Sequence, residues 1–391
     1  MQLTEIQRAL REAGLDGWLF YDHHERDPLA YRILGFRPVR HVTRRWYYFI
    51  PASGKPRGLV HKIEPNMIDA LPGAKTAYSS WQTQMDGVRA LVAGSKRVAM
   101  QYSPNNVVPY VSMVDAGTVE LVRSFGVEVA TSADLIQYVE ARWTAAQLES
   151  HLQAGRRVDA VRRAAFAEIA ARLGRGESVT EYAIKGFVLD GFERAGLYTD
   201  HGPIVGVNEN AANPHYEPTA EVHKTIGRGD VVLLDMWAKI AADPDSVYYD
   251  ITWTGFTGAA APSEVAHVFE VVRDARDAGI LFVTKSIAAG ESVAGYQVDD
   301  AVRGHIQKAG YGEWFVHRTG HSIGREVHGA GANMDNLETH DERRLIPGPC
   351  FSVEPGIYLP KFGVRSEVNM YVGEHEARVT GEVQRELVAI A

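Results

Sequence analysis

The sequence predicts a two-unit α+β chain, with a smaller α/β unit over residues 1–142 and a larger, mostly antiparallel unit over 143–391. Three observations predict it. A chain of 391 residues exceeds one ordinary domain and suits two. Through the first third, short β-branched and aromatic runs alternate with helix-periodic segments. At Thr144-Ala145-Ala146-Gln147 a capping box opens a long helix, and beyond it strands arrive in hairpin-like pairs between helices.

In the first unit, Ile6, Ala9, Leu10 and Ala13 recur at helical spacing and Gly14 stops the helix. Gly17 to Tyr21 reads as a strand, and the Asp22, His23, His24, Glu25 stretch after it as a solvated turn. Arg45 to Pro51, Pro56 to His61, Arg97 to Gln101 and Val127 to Ala130 are further strands. The unit carries no glycine-rich phosphate loop and no nucleophile elbow, so the chemistry is expected elsewhere.

The second unit opens on the helix from Thr144, with Leu148, Leu152, Val158, Val161 and Ala165 along its face. Ser178-Val179-Thr180-Glu181 offers a second capping box for a helix that ends at Gly196. Gly202 to Gly206, Val231 to Trp237 and Tyr248 to Phe256 read as strands. So do Cys350 to Leu359 and Val364 to Val372. Helices are expected from Pro262 and over Val298 to Ala309.

Composition bounds the function. A 45% hydrophobic and 23% charged chain is that of a soluble globular protein. A net charge of -8 argues against nucleic acid as a partner. Cys350 stands alone, which excludes an internal disulfide and cysteine-based zinc sites. The N-terminal residues read as a helix rather than a signal core, and no long apolar run suggests a membrane span. A cytoplasmic protein without membrane contact is expected.

The chemistry concentrates in acids that interrupt apolar strands. Asp235 sits inside VVLLDMW, where a lone carboxylate is costly to bury without a partner. In YYDITWTGF, alternation puts Asp250, Thr252 and Thr254 on one face and Tyr249, Ile251 and Trp253 on the other. Glu354 interrupts FSVEPGIYL, and Glu367 follows in VRSEVNMYV, where Arg365 shares its strand face and offers a plain ion pair. His321 and His328 lie in HRTGHSIGREVHG. Taken singly, each acid reads equally well as an exposed or paired strand residue. Taken together, four carboxylates and an imidazole with few cations among them call for about two divalent ions. Oxygen-rich ligation with one imidazole favours manganese, cobalt, iron or zinc over copper.

These residues carry a resemblance. The order Asp, Asp, His, Glu, Glu, with HRTGHSIGREVH, SVEPGIY and GVRSEVNMYV around the last three, resembles the creatinase/aminopeptidase P/prolidase family of metallopeptidases. The resemblance implies a pita-bread catalytic domain over 143–391, preceded by a creatinase-like N-terminal α/β domain over 1–142. It implies two divalent metal ions per subunit, manganese favoured over cobalt or zinc, held by Asp235, Asp250, His321, Glu354 and Glu367. Asp250 and Glu367 bridge the ions in this reading, and Glu354 also handles the proton. His215, in NPHY, and His328 take substrate-contacting positions, and Arg365 supports the site. The activity implied is hydrolysis of Xaa-Pro dipeptides by a metal-bridging hydroxide, in a homodimer. Aminopeptidase P activity on longer peptides, or cleavage of another small molecule, are the alternatives, and a non-enzymatic binding role is the remaining class. One departure stands out. The interval from Asp235 to Asp250 is longer than the family's usual spacing and contains Ala241-Ala242-Asp243-Pro244-Asp245, read as a lengthened hairpin turn. His317, Tyr216, Tyr248 and Tyr358 are expected in structural roles.

Overall fold

Strand alternation organises each of the two units into which the chain divides, Met1–Glu140 and Ala141–Ala391. The computed structural model describes residues 2–37 and 41–391. The first unit holds a six-stranded sheet of β1 (Gly17–Asp22), β2 (Trp46–Pro51), β3 (Arg57–His61), β4 (Ala74–Tyr78), β5 (Arg97–Met100) and β6 (Glu128–Thr131). Their order is β4-β3-β2-β1-β5-β6. The pairs β1/β2 and β2/β3 run antiparallel, and the other pairs run parallel. Every residue of β1 is buried, as a strand covered on both faces requires. Leu19, Phe49, Val98 and Met100 pack against Val88 and Leu91 of the helix Trp81–Val92 and against Val119 and Val122.

The turn after β1 is solvated at His24 and Glu25, as expected, while Asp22 departs from that reading. Asp22 is buried and accepts the backbone N–H groups of Glu25, Arg26 and Asp27 and the hydroxyl of Tyr31. Its charge is spent on ordering a turn in which His24 and Glu25 adopt positive φ. Asp27 then caps the helix Pro28–Leu34 through the N–H of Ala30 (2.9 Å). Its second oxygen is buried without a partner, and burial pushes its pKa up to about 7, the charge of Asp22 adding to the effect. A folded pKa above the unfolded value means the native state binds the extra proton. This contribution to stability is full below about pH 4 and is lost as pH rises to about 7. Asp27→Asn keeps a capping oxygen and removes the charge. We expect the variant to match wild type near pH 4 and to exceed it at pH 8 by about 2–4 kcal/mol. Urea unfolding at the two pH values checks this, and equal pH slopes in variant and wild type would refute it.

The second unit carries β7 (Val179–Thr180), β8 (Leu197–Tyr198), β9 (Ile204–Val207), β10 (Thr225–Ile226), β11 (Val231–Ile240) and β12 (Tyr249–Phe256). Then follow β13 (Ser322–Ile323), β14 (Cys350–Val353), β15 (Gly356–Leu359), β16 (Phe362–Arg365), β17 (Val368–Val372), β18 (Ala377–Val379) and β19 (Val388–Ala389). One sheet runs β19-β12-β11-β8, with β9 also on β11; a second runs β13-β14-β17-β18; β15 and β16 form a separate hairpin. All these pairs are antiparallel except β12 with β19.

The helix Ala145–Gly174 begins at the Thr144 and Gln147 capping box and lies across β11 and β12. Val232, Leu234, Met236, Tyr249 and Ile251 point into a core with Ala154, Val158 and Ala165. Gly155 lets the helix close on the sheet, because a Cβ there would stand 2.9 Å from the Tyr249 ring. Each fully buried aliphatic side chain contributes about 1.5–3 kcal/mol, which offsets the polar groups held on the opposite face. The next helix, Glu181–Arg194, is capped by Thr180 rather than Ser178. Glu181 is drawn inside instead. It accepts from the N–H of Val207 and Lys224, the amide of Asn210 and the hydroxyl of Tyr216, which orders the 207–224 segment around it. The helix Ser263–Ala288 packs against Gly295–Lys308 and against the second sheet. No helix among the described residues is long and apolar enough to cross a membrane.

Two expected strands are each broken in the structure. Cys350 to Leu359 splits into β14 and β15 at Glu354-Pro355, and Val364 to Val372 splits into β16 and β17 at Ser366-Glu367. Pro355 has no N–H to offer a ladder. Both breaks fall on candidate metal ligands, where the chain passes from one sheet to another.

Candidate metal centre

On β11 and β12 the period-2 alternation that buries Leu234 and Ile251 under the helix turns Asp235, Asp250 and Thr252 to the other face. Asp235 stands opposite Thr252, and Asp250 opposite Trp237. The side chain of Asn369, on β17, grips both backbone groups of Asp250: its Oδ1 accepts the N–H at 3.0 Å, and its Nδ2 donates to the carbonyl. Glu367 joins through its own N–H to Thr252 O (3.0 Å) and by accepting the Thr252 hydroxyl at 2.8 Å. Ser352 links the remaining two residues. Its hydroxyl accepts the N–H of His321 and donates to Glu354 Oε1, both at 2.9 Å.

His321 reveals what the cluster is suited to hold. Its Nδ1 faces the carbonyl of Ser322 at 3.1 Å, and a carbonyl only accepts, so that nitrogen carries the proton. Burial keeps the imidazole below its ordinary pKa, hence neutral. The bare Nε2 lone pair therefore faces Glu354 Oε1 at 3.3 Å and Asp250 Oδ2 at 3.5 Å. Asp250 Oδ1 and Glu367 Oε1 are buried with no hydrogen-bond donor at all. Ligand atoms of Asp250, His321 and Glu367 lie within 4.8 Å of one another. Lone pairs converging without a proton between them are the arrangement a cation fits. Burial, reinforced by the neighbouring carboxylates, pushes Asp250 and Glu367 well above the usual carboxylate range, and Asp235 up to about 7. Glu354 is held below that range, because His321, His317 and Arg365 outweigh its burial.

Arg365 differs from the ion pair with Glu367 that the sequence offered. Its Nη2 donates to Asp235, its Nε to Thr252 Oγ1 (2.9 Å) and its Nη1 to Tyr358 Oη (3.2 Å). It neutralises one of the four carboxylates, and the three left exceed the charge of one divalent ion. Tyr358 and His317 are also more than packing. His317 Nδ1 meets the Arg318 carbonyl (2.7 Å), so its Nε2 accepts the Tyr358 hydroxyl at 2.7 Å. A hydrogen-bonded line therefore runs from half-buried His317 through Tyr358 and Arg365 to Asp235. Residue type alone gives no sign of it, although Ser352 and Asn369 are legible as the residues two places from Glu354 and Glu367.

The two histidines outside the ligand set fall differently. The His328 ring stands edge-on to His321 with centroids 4.3 Å apart. Its outer side is exposed, and the adjacent imidazole and partial burial hold its pKa low. His215 lies exposed in the loop ordered by Glu181, its N–H on Asn213 Oδ1 (3.1 Å). The long interval between the aspartates is a hairpin turn, as expected. Ser246 Oγ bonds the carbonyls of Ile240 and Asp243 across it, and Tyr248 N–H reaches Gly324 O (2.9 Å) beside the His328 loop.

Gly320 fixes the approach of His321 to the sheet, since a Cβ there would lie 1.9 Å from the Ser352 carbonyl oxygen. Gly320→Ala must push β13 from β14 and is expected to cost about 3 kcal/mol and to weaken metal binding with it. Thermal melts with and without added metal test this. An unchanged melting temperature would show that the strand gives way freely.

Comparison with known proteins shows what the chain is similar to. The profile of metallopeptidase family M24 matches residues 149–374. An Xaa-Pro dipeptidase of Lactobacillus helveticus is 37% identical over 165 residues, 42% of this chain and 40% of that protein. An Xaa-Pro dipeptidase of Lactobacillus delbrueckii subsp. lactis is 33% identical over 49% of this chain and 45% of its own length. The chain thus spans under half the length of these two relatives. Among solved structures, dipeptidase PepE from Mycobacterium ulcerans superposes with a TM-score of 0.72 at 24% identity, covering 100% of this chain and 97% of that one. A prolidase from Thermococcus sibiricus gives 0.67 at 23% identity, with 99% and 98% covered. The pita-bread fold, preceded by a smaller N-terminal α/β unit, is therefore shared with these solved structures.

Proposed function

The chain belongs to metallopeptidase family M24, and from that footing we propose that it hydrolyses the Xaa-Pro bond of dipeptides using two divalent metal ions. The observation that carries the reading is the burial of Asp250, His321 and Glu367 with ligand atoms within 4.8 Å of one another, while Asp250 Oδ1 and Glu367 Oε1 meet no donor. Asp235 and Glu354 complete the ligand set, which suits manganese, cobalt or zinc. When bound, the ions supply Lewis acidity, lowering the pKa of a water and polarising the scissile carbonyl. The names of the relatives support the choice of bond.

The protein's own groups supply the rest. Glu354, kept ionised, accepts the proton of the attacking water as the C–O bond forms. It returns that proton to the prolyl nitrogen as the C–N bond breaks. Arg365 opposes the burial that raises Asp235 and holds that carboxylate in place for ligation. His328, whose ring lies beside His321, is assigned on the resemblance to donate to the oxygen of the tetrahedral intermediate. His215 is assigned to the substrate on the resemblance. An Xaa-Pro bond has no amide N–H, so recognition rests on ring shape and the charged ends of the peptide. A homodimer in the cytoplasm is part of the same proposal, and light scattering on the purified protein tests the oligomer.

Metal-depleted protein supplied with manganese, cobalt or zinc tests the reading on Ala-Pro and Ala-Pro-Ala. Metal-dependent cleavage of Ala-Pro, faster than that of the tripeptide, is expected. Equal or faster tripeptide cleavage would instead identify an aminopeptidase acting on longer peptides. Protein indifferent to every metal would sink the hydrolytic reading.

A further inference from the structure

Asp200 lies in the loop between β8 and β9, four residues before Ile204, which pairs with Asp235 on β11. The indole N–H of Trp237 donates to its Oδ1 at 3.0 Å. Trp237 shares the strand face of Asp235 and stands directly opposite Asp250. One indole therefore spans from the strand position facing a candidate ligand to the Asp200 carboxylate. That carboxylate is 37% exposed, and its ion-pair partner among the described residues is the 73% exposed imidazole of His201 at 3.4 Å. The nearby lysine is occupied elsewhere. Lys239 donates to Arg325 O at 2.6 Å and lies over the Tyr198 and Tyr248 rings.

We propose that Asp200 is a specificity-determining residue that takes a cationic side chain on the residue preceding proline, so that Lys-Pro and Arg-Pro are preferred dipeptides. The inference rests on the Xaa-Pro reading above. Length selects the side chain over the α-ammonium. The α-ammonium sits one carbon from the carbonyl under attack. Asp200 is separated from the ligands by an indole, a gap that the four-carbon stem of lysine is long enough to bridge. Without substrate the carboxylate accepts the indole N–H of Trp237 and faces the His201 imidazole and the Tyr248 hydroxyl, neutral hydrogen bonds that an amide can keep at the indole.

The test compares kcat/KM for Lys-Pro with that for norleucyl-proline, which keeps the chain length and lacks the charge, in metal-loaded wild type and Asp200→Asn. Wild type is expected to favour Lys-Pro by about tenfold, the effect of one partly exposed ion pair. In the variant the ratio should fall to about one, mainly through KM, with norleucyl-proline turnover unchanged. Asp200→Lys should reverse the preference toward Glu-Pro, a result that a merely structural role would not produce. If norleucyl-proline is cleaved and the ratio survives Asp200→Asn, or if both substrates decline together, the inference is overturned and the functional reading stands. If no Xaa-Pro dipeptide is cleaved by the wild type, both fall.

Discussion

Glu354→Gln is expected to lower kcat by about 10²–10⁴-fold in metal-loaded protein while the fold is retained. The amide is nearly isosteric with the carboxylate, and its oxygen still accepts the Ser352 hydroxyl, now 2.9 Å from Glu354 Oε1. What it lacks is a basic oxygen and a negative charge. Hydrogen bonding of Ser352 to the His321 N–H is untouched, so the imidazole keeps its orientation. Stability and metal content therefore separate the two roles assigned to Glu354. If metal is retained and turnover is lost, proton handling is the main role. If metal and turnover are lost together, ligation dominates. Activity within tenfold of wild type at full metal occupancy would remove Glu354 from the mechanism.

What can be read in the sequence follows from where the physics is local. Asp235 and Asp250 are legible because a strand alternates with period two, so an acid between buried aliphatics must face something other than the helix side. The capping box at Thr144 is legible because it needs only residues three apart. Glu181 shows the limit. Its four hydrogen-bonding partner residues lie 26 to 43 positions away, so the same Ser/Thr-x-x-Glu pattern that suggests a cap conceals a loop-organising hub. Arg365 is readable as a cation near Glu367, but strand breaks at Glu354 and Glu367 send it to Asp235 instead. Those breaks depend on three sheets meeting, which no local propensity encodes. The line from His317 through Tyr358 to Arg365 is hidden for the same reason.

Removing the Arg365 cation is expected to give the largest loss of stability in the catalytic unit. The guanidinium is 3% exposed and bonds three partners, among them Asp235, itself 8% exposed. Arg365→Met leaves a buried carboxylate uncompensated, which costs about 3–5 kcal/mol. For a unit of this size that is a fall of on the order of 10 °C in melting temperature. The sign of the metal dependence discriminates between two accounts. If Asp235 is a metal ligand, added manganese supplies the missing positive charge and the variant recovers much of the loss. If Asp235 is only the acid of a structural ion pair, the loss is the same with and without metal. The double variant Arg365→Met with Asp235→Asn removes both charges and should regain stability in metal-free protein, since an unpaired carboxylate no longer remains. It should not regain turnover, because the substituted amide carries no charge to hold a cation. Melting curves of the single and double variants, each with and without metal, resolve these outcomes. A double variant no more stable than the single one would mean that Arg365 acts through Tyr358 and Thr252, not through Asp235.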